Sequence, residues 1–359
     1  MSILMRTTSQ VGKEIPQLAT RFTPEIKKLT GQLNKIAINE TKGDRMVYTF
    51  PKATPEDLKR LTSLKMEDTY KRTTWTNPKD NKVYHLLEEE RAKDKVKVRI
   101  LDQDGAFVKN AELKPANIVI FDSFFSPRGF THGEMMETFV RRFNPFANVE
   151  RLEHKKGLIE NIKYRGRLPM HLELKRFQEL EQKMAKGKSV DFISVSESNL
   201  VDASDVIKEN GKTQQAYVAQ SGLITQLRPV FESIMSKGAR IFEAAGNESD
   251  YAKILVSDRL AINGVEGVGS LRHGKIASDS CSRNSVFTQH YEKRDFKARL
   301  VNDKNGNPIG INVTGLSGTD IPLNWKTKRM VNHNFGGTSY ATPVRVAKLS
   351  LTQMMEGVL

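Results

Sequence analysis

A single cysteine, Cys281, stands in a chain of 359 residues. One thiol excludes an intramolecular disulfide, so the fold must be held by its packing. No run approaches the ~18 apolar residues of a membrane span, and Met1 to Pro16 contains no continuous apolar segment of the secretory kind. These absences predict no membrane partner and a cytoplasmic location. The Cys and His spacings of zinc sites are missing, and no acidic cluster has calcium-loop spacing. No metal and no cofactor is therefore expected. There is no basic arm and no aromatic RNA-binding signature.

What the chain does have is positive charge. Lys and Arg number 57 against 42 Asp and Glu, a net charge of +15. Such an excess can attract nucleic acid. Here the basic residues are interleaved with acids, as in Glu88-Glu89-Glu90-Arg91-Ala92-Lys93. That pattern fits a solvated surface, and nucleic acid is not an expected partner.

The texture changes along the chain. Residues 1–115 are highly charged, with short apolar runs. Thr23-Pro24 and Thr54-Pro55 both read as helix starts, each with a Thr cap before a first-turn proline. Val96-Lys97-Val98-Arg99-Ile100 alternates with the period of a strand, and Asp104-Gly105 supplies a turn. This segment is predicted to form a small α+β module. From Ala116 onward, short apolar strands alternate with amphipathic helices. Strands are predicted at Ala116–Phe121, Asn148–Leu152, Asp191–Val195 and Ala239–Ala244. Helices are predicted at Gly133–Phe143, Leu172–Lys186 and Leu223–Ser236, the last containing Pro229. Such alternation predicts an α/β domain over 116–359, a parallel sheet with helices on both faces. In such sheets, sites collect at the carboxyl ends of the strands. A hairpin is predicted around Asn305-Gly306-Asn307-Pro308.

Several motifs fall at those strand ends. Ile118-Val119-Ile120-Phe121-Asp122-Ser123 ends a buried strand in an acid, and Thr131-His132-Gly133-Glu134 opens a helix with an imidazole. Asp191-Phe192-Ile193-Ser194-Val195-Ser196-Glu197-Ser198 is a strand running into polar residues. Glu243-Ala244-Ala245-Gly246-Asn247 runs a strand into a Gly-Asn turn. Gly336-Gly337-Thr338-Ser339-Tyr340-Ala341-Thr342-Pro343 is a glycine turn entering a helix. Taken singly, each has a plain structural reading: a helix cap, a turn, a strand-end polar residue.

In this order, the five segments resemble those of the subtilisin-like serine peptidases, over about Ala116 to Leu359. The Asp…His…Ser chain order is the one that the subtilisins are known for. The resemblance implies a subtilisin-like fold and hydrolysis of a protein or peptide substrate. Ser339 would be the nucleophile, His132 its base and Asp122 the carboxylate that orients the imidazole. Asn247 would donate to the oxyanion; in subtilisin one such donor is worth ~2.7–4 kcal/mol. Ser196, Glu197, Ser198 and Gly246 would bind substrate, and Glu197, if it faced the cleft, would favour basic side chains. An N-terminal segment before such a domain is either a propeptide that packs on it or an accessory module.

The pattern departs from the family in places. Phe124 stands where glycine is usual after the Asp-Ser. The link from Asp122 to His132 is short. Glu134 replaces a threonine, and Ser198 replaces a glycine. The alternative function is a catalytically inactive binding protein on the same fold.

Overall fold

The computed structural model describes residues 3–5, 37–42, 45–49, 72–124, 130–153, 170–196, 200–202, 206–209, 212–215, 222–247, 255–281, 288–316, 318–324, 327–331 and 333–359. The chain divides into two units, residues 1–70 with 297–333, and residues 71–296 with 334–359. The boundary at 115/116 drawn from composition thus falls inside the second unit. The helix starts expected at Thr23 and Thr54, and residues Glu197 and Ser198, lie outside the described residues.

In the second unit, four antiparallel strands come first: β1 (Arg72–Thr76), β2 (Val83–Arg91), β3 (Val96–Asp102) and β4 (Phe107–Leu113). Alternation gives β3 one buried face, where Val96, Val98 and Ile100 are fully covered. A central sheet follows. Besides a short antiparallel edge strand, Lys275–Ile276, its strands are β5 (Asn117–Asp122), β6 (Asn148–Glu153), β7 (Phe192–Val195), β8 (Arg240–Ala244), β9 (Glu266–Arg272) and β10 (His290–Lys293). They lie in the order β6-β5-β7-β8-β9-β10, and every one of these pairings is parallel.

Four helices serve this sheet: α1 (His132–Phe143), α2 (Met170–Ala185), α3 (Gly222–Ser236) and α4 (Thr338–Met355). One face is closed by α2 and α3. There Phe177 and Phe231 pack in one buried cluster with Ile193, Val195, Ile241 and Ala245. The other face meets α4, and α1 packs on α4 and on β5. The predicted α/β architecture, a parallel sheet covered on both sides, is therefore what this unit has. Burial on both faces explains why the strands read as continuous apolar runs.

The topology also places the site. The chain leaves β5 for β6 on one side, then returns past β5 to form β7 on its other side. The order reverses between β5 and β7, and crevices at such reversals, outside the carboxyl ends, are where open α/β sheets bind ligands. Asp122 ends β5, and Ser196 directly follows β7.

In the first unit, Arg299–Asn302 pairs antiparallel with Pro308–Asn312, with Ile321–Pro322 as a third strand. This is the predicted hairpin. Asp303 caps its turn by accepting from the backbone N–H groups of Asn305 and Asn307. A separate three-stranded sheet joins Ile3–Met5, Ala37–Lys42 and Arg45–Thr49.

Candidate active site

The acid is fixed by the end of a buried strand. Asp122 is 0% exposed. A carboxylate held there without partners would be costly, and it has several. The backbone N–H of Ser123 donates to Oδ1 at 2.6 Å. His132 Nδ1 lies 2.9 Å from Oδ1 and 2.8 Å from Oδ2. With Nδ1–H donating to a carboxylate, Nε2 of the neutral ring is the basic nitrogen.

A short link suffices because two elements are clamped together. The N–H of Gly133 donates to the carbonyl of Ser123 at 2.9 Å, tying the start of α1 to the end of β5. A Cβ at Gly133 would stand 2.8 Å from both the Ser123 carbonyl oxygen and the Phe124 ring. Only glycine permits this approach. Phe124 packs directly over that gap, and the Arg151 guanidinium lies 4.9 Å above its ring. Glu134 completes a reciprocal cap. Its N–H donates to Thr131 Oγ1 at 3.1 Å, and its carboxylate accepts from the Thr131 N–H at 2.8 Å. His132 is thus the first residue of a firmly capped helix.

Ser339 lies in the first turn of α4, just after the N-cap Gly337, whose φ is +127°. It is 9% exposed. First-turn N–H groups have no intrahelical acceptor, so the Ser339 N–H is available at the site. The turn before it is held by Asn247. Oδ1 of Asn247 accepts from Thr338 N–H at 2.6 Å and from Thr338 Oγ1–H at 3.1 Å. The Thr338 hydroxyl in turn accepts from Gly246 N–H at 3.0 Å. With Oδ1 used in this way, the amide of Asn247 presents Nδ2 as its donor. A Cβ on Gly337 would come within 2.9 Å of that same amide.

The next residue, Tyr340, closes the arrangement. Its ring meets the His132 imidazole edge-on, with centroids 5.4 Å apart and planes at 74°. It also contacts Phe139 and Phe335. Burial and the nearby Asp122 carboxylate push its hydroxyl up to about 12.

Asp122, His132, Asn247 and Ser339 are thus linked through contacts of their own chain segments at the carboxyl ends of β5 and β8. Ser196 is buried at the end of β7. Gly246 has both backbone groups engaged within the protein, its N–H with Thr338 and its carbonyl with Cys281 N–H at 3.0 Å. Among the described residues, no group of three or more His, Cys, Asp or Glu side chains could hold a metal ion, and no helix is long and apolar enough to cross a membrane. Sequence reasoning passed over Thr338 and Tyr340, although both stand inside the quoted motif. Their roles depend on partners 91 and 208 positions away.

No family model matches the chain, and no curated protein does. Among solved structures it is similar to the protease domain of PatA, determined as a serine-to-alanine mutant. That match has 14% identity, covers 67% of this chain and 80% of that one, and has a TM-score of 0.42. The prenylagaramide maturation protease PagA matches at 16% identity over 68% of this chain and 78% of its own, with a TM-score of 0.39. Fervidolysin from Fervidobacterium pennivorans, a keratinolytic enzyme related to subtilisin, matches at 11% identity over 94% of this chain and 54% of its own, with a TM-score of 0.44. Likeness at this level carries no argument about chemistry, which rests on the residues themselves.

Proposed function

We propose that this chain is a serine endopeptidase that cleaves peptide bonds by acyl transfer through Ser339. The observation that carries the reading is the pairing of a fully buried Asp122 with Nδ1 of His132, beside a helix start at which Asn247 is anchored to the residue preceding Ser339. A buried carboxylate on Nδ1 is what a base at Nε2 requires.

In this mechanism, Nε2 of His132 takes the proton from Ser339 Oγ as Oγ attacks the carbonyl carbon. Asp122 remains ionised and stabilises the imidazolium. The oxyanion accepts from Asn247 Nδ2–H and Ser339 N–H. Collapse breaks the C–N bond, and His132 returns its proton to the leaving amine. Water, deprotonated by the same nitrogen, then releases the acyl group and restores Ser339.

The test is labelling by a fluorophosphonate probe together with peptide cleavage. Labelling and cleavage are expected for the native chain, and both are expected to vanish in Ser339→Ala with the fold intact. In subtilisin the loss of either serine or base costs about 10⁶-fold in kcat, so His132→Ala is expected to be as inactive as Ser339→Ala. Cleavage that survives Ser339→Ala would overturn the reading.

A further inference from the structure

The Asp122 carboxylate fixes Nδ1 of His132, but it does not by itself fix the plane of the ring. The χ2 well of an imidazole is broad. Nε2, on the far side of the ring, is the atom that must face Ser339. A tilt that costs the Nδ1 bond little therefore still carries Nε2 off line. The side chain is 33% exposed, so the protein does not enclose the ring on every side, and its alignment depends on the walls that do touch it.

One such wall is supplied by α4. Tyr340 is the chain neighbour of Ser339, and its ring meets the imidazole edge-on at 5.4 Å and 74°, an arrangement that aromatic pairs prefer. Tyr340 is itself held in place. Its ring packs at 5.8 Å and 83° on Phe139, and at 5.7 Å and 49° on Phe335. Phe139 is 0% exposed and packs in turn on Phe296 at 4.5 Å. His132 and Phe139 stand seven residues apart on α1, about 10.5 Å along its axis, so Tyr340 lies between them and spans two turns of that helix. A continuous row of rings thus backs the imidazole onto the core. An aliphatic side chain at 340 could fill space beside Phe139 and Phe335, but it has no flat, stiff edge to set against the imidazole. The phenol adds no charge at the site. Burial and the nearby Asp122 carboxylate push it up to about 12, so it stays neutral beside the acid.

Building on the peptidase reading above, we propose that Tyr340 is a positioning residue for the base: its ring, and not its hydroxyl, fixes the plane of the His132 imidazole so that Nε2 is held toward Ser339. Because Tyr340 and Ser339 are consecutive on one helix, a shift of α4 against α1 carries the wall and the nucleophile together. The base is then aligned by the same element that carries the group it must deprotonate.

The experiment compares the full-length chain with Tyr340→Phe and Tyr340→Leu, each shown by thermal melting to be folded. It measures steady-state cleavage of a peptide, the rate of fluorophosphonate labelling, and the low-field proton signal of His132 Nδ1–H, assigned by its loss in His132→Ala. Tyr340→Leu is expected to lower kcat by about 10- to 100-fold with little change in KM, since small misplacements of reacting groups cost that much. Its labelling is expected to slow in step, and its Nδ1–H signal to broaden as the freed ring exchanges its proton with water. Tyr340→Phe is expected to match the native chain in all three. Native kcat and an unchanged signal in Tyr340→Leu overturn the inference. So does an effect on KM alone, which makes Tyr340 a substrate contact, or an equal loss in Tyr340→Phe, which assigns the role to the hydroxyl. Tyr340→Met is a second ring-less variant should Tyr340→Leu not fold, and a folded but impaired Tyr340→Phe refutes the claim without either. Absence of both cleavage and Ser339 labelling in the native chain overturns the peptidase reading, and the proton signal then decides alone whether Tyr340 fixes the ring.

Discussion

Thr338 and Asn247 are joined through a single oxygen. The Asn247 Oδ1 accepts from both the N–H and the hydroxyl of Thr338, at 2.6 and 3.1 Å. Rotation of the amide is thereby blocked, because exchanging Oδ1 for Nδ2 would set donors against donors. The backbone N–H of Gly246 locks the hydroxyl from its other side.

Two substitutions separate donor from anchor. Asn247→Ala is expected to lower kcat by roughly 10²–10³ with little change in KM, because the lost donor acts mainly in the transition state. Thr338→Val keeps the shape but removes the hydroxyl, so the Gly246 N–H loses its acceptor, at a cost of about 1–3 kcal/mol of stability. Its kcat is expected to fall by no more than about 10-fold, because the amide loses one of two anchors while the backbone N–H at 338 still holds Oδ1. Thr338→Ser is expected to recover both. Steady-state kinetics and urea melts of the three proteins check this, and a KM effect alone in Asn247→Ala would reassign that residue to ground-state binding.

Gly133→Ala is expected to damage the site from a distance. The added methyl meets the Ser123 carbonyl oxygen and the Phe124 ring at 2.8 Å. The backbone of β5 cannot yield as a flexible side chain would, so a loss of about 1–3 kcal/mol is expected from overpacking. Phe124→Ala in the same chain relieves only the ring contact, so recovery is expected to be partial. Thermal melts and kcat of the single and double variants measure it.

Two acids, the half-buried Glu266 and the buried Glu243, are expected to bend the stability–pH curve in opposite directions. Burial works against ionisation of Glu266, but hydrogen bonds from His290 and Arg240 prevail and bring it down to about 2. A depressed folded value means its stabilisation is present above the unfolded value of 4.5 and is lost as pH falls toward 2. Glu243, raised by burial to about 8, gives the reverse: its contribution is complete below 4.5 and is lost as pH rises toward 8. Urea unfolding from pH 2 to 9 should show the acid limb flattened in Glu266→Gln and the alkaline limb flattened in Glu243→Gln. The same limb changing in both variants would contradict the assignment.

A chain that starts at Ala116 is expected to fold poorly or unfold early. Within the second unit, Thr73 Oγ1 donates to the Phe143 carbonyl at 3.2 Å, and Trp75 Nε1 donates to Thr352 Oγ1 at 3.2 Å. Removing β1–β4 uncovers the ends of α1 and α4. Exposure of apolar surface costs about 25 cal/mol per Å², and the loss is expected to show as a lower melting temperature and dye binding. A chain that starts at Lys71 keeps these contacts. Equal melting temperatures for the two truncations would refute the point.

Strands β5 to β8 of the central sheet were legible from their apolar runs, and the helices from their amphipathic pattern, whereas β9 and β10, broken by glycine and by charge, gave no such signal. Strand and helix limits fell within about two residues of those observed. Residues 72–113 were harder. Their alternation marks strands, but the covered side of Val96, Val98 and Ile100 says nothing of what covers it, and high surface charge made the segment read as separate. In the candidate site, Asp122, His132, Asn247 and Ser339, with the roles proposed for them, could be picked out from local motifs. Phe124 and Glu134 looked like departures from a pattern, and they gained a physical reason only when the clamp at Gly133 and the helix cap were seen. Glu243 looked like an ordinary strand residue, since a buried carboxylate betrays itself only through its surroundings.

The proposed base and nucleophile each sit at the beginning of a helix, and α1 and α4 lie against each other along their length. Asn144, just past the end of α1, donates to Ser350 of α4 at 2.8 Å, while Phe139 and Tyr340 meet nearer the front. The two helices act as the arms of a caliper whose jaws are His132 and Ser339. The spacing at the jaws is then set by the bulk of side chains well behind them, so a methylene gained or lost between the arms would open or close the working gap without a change at either tip.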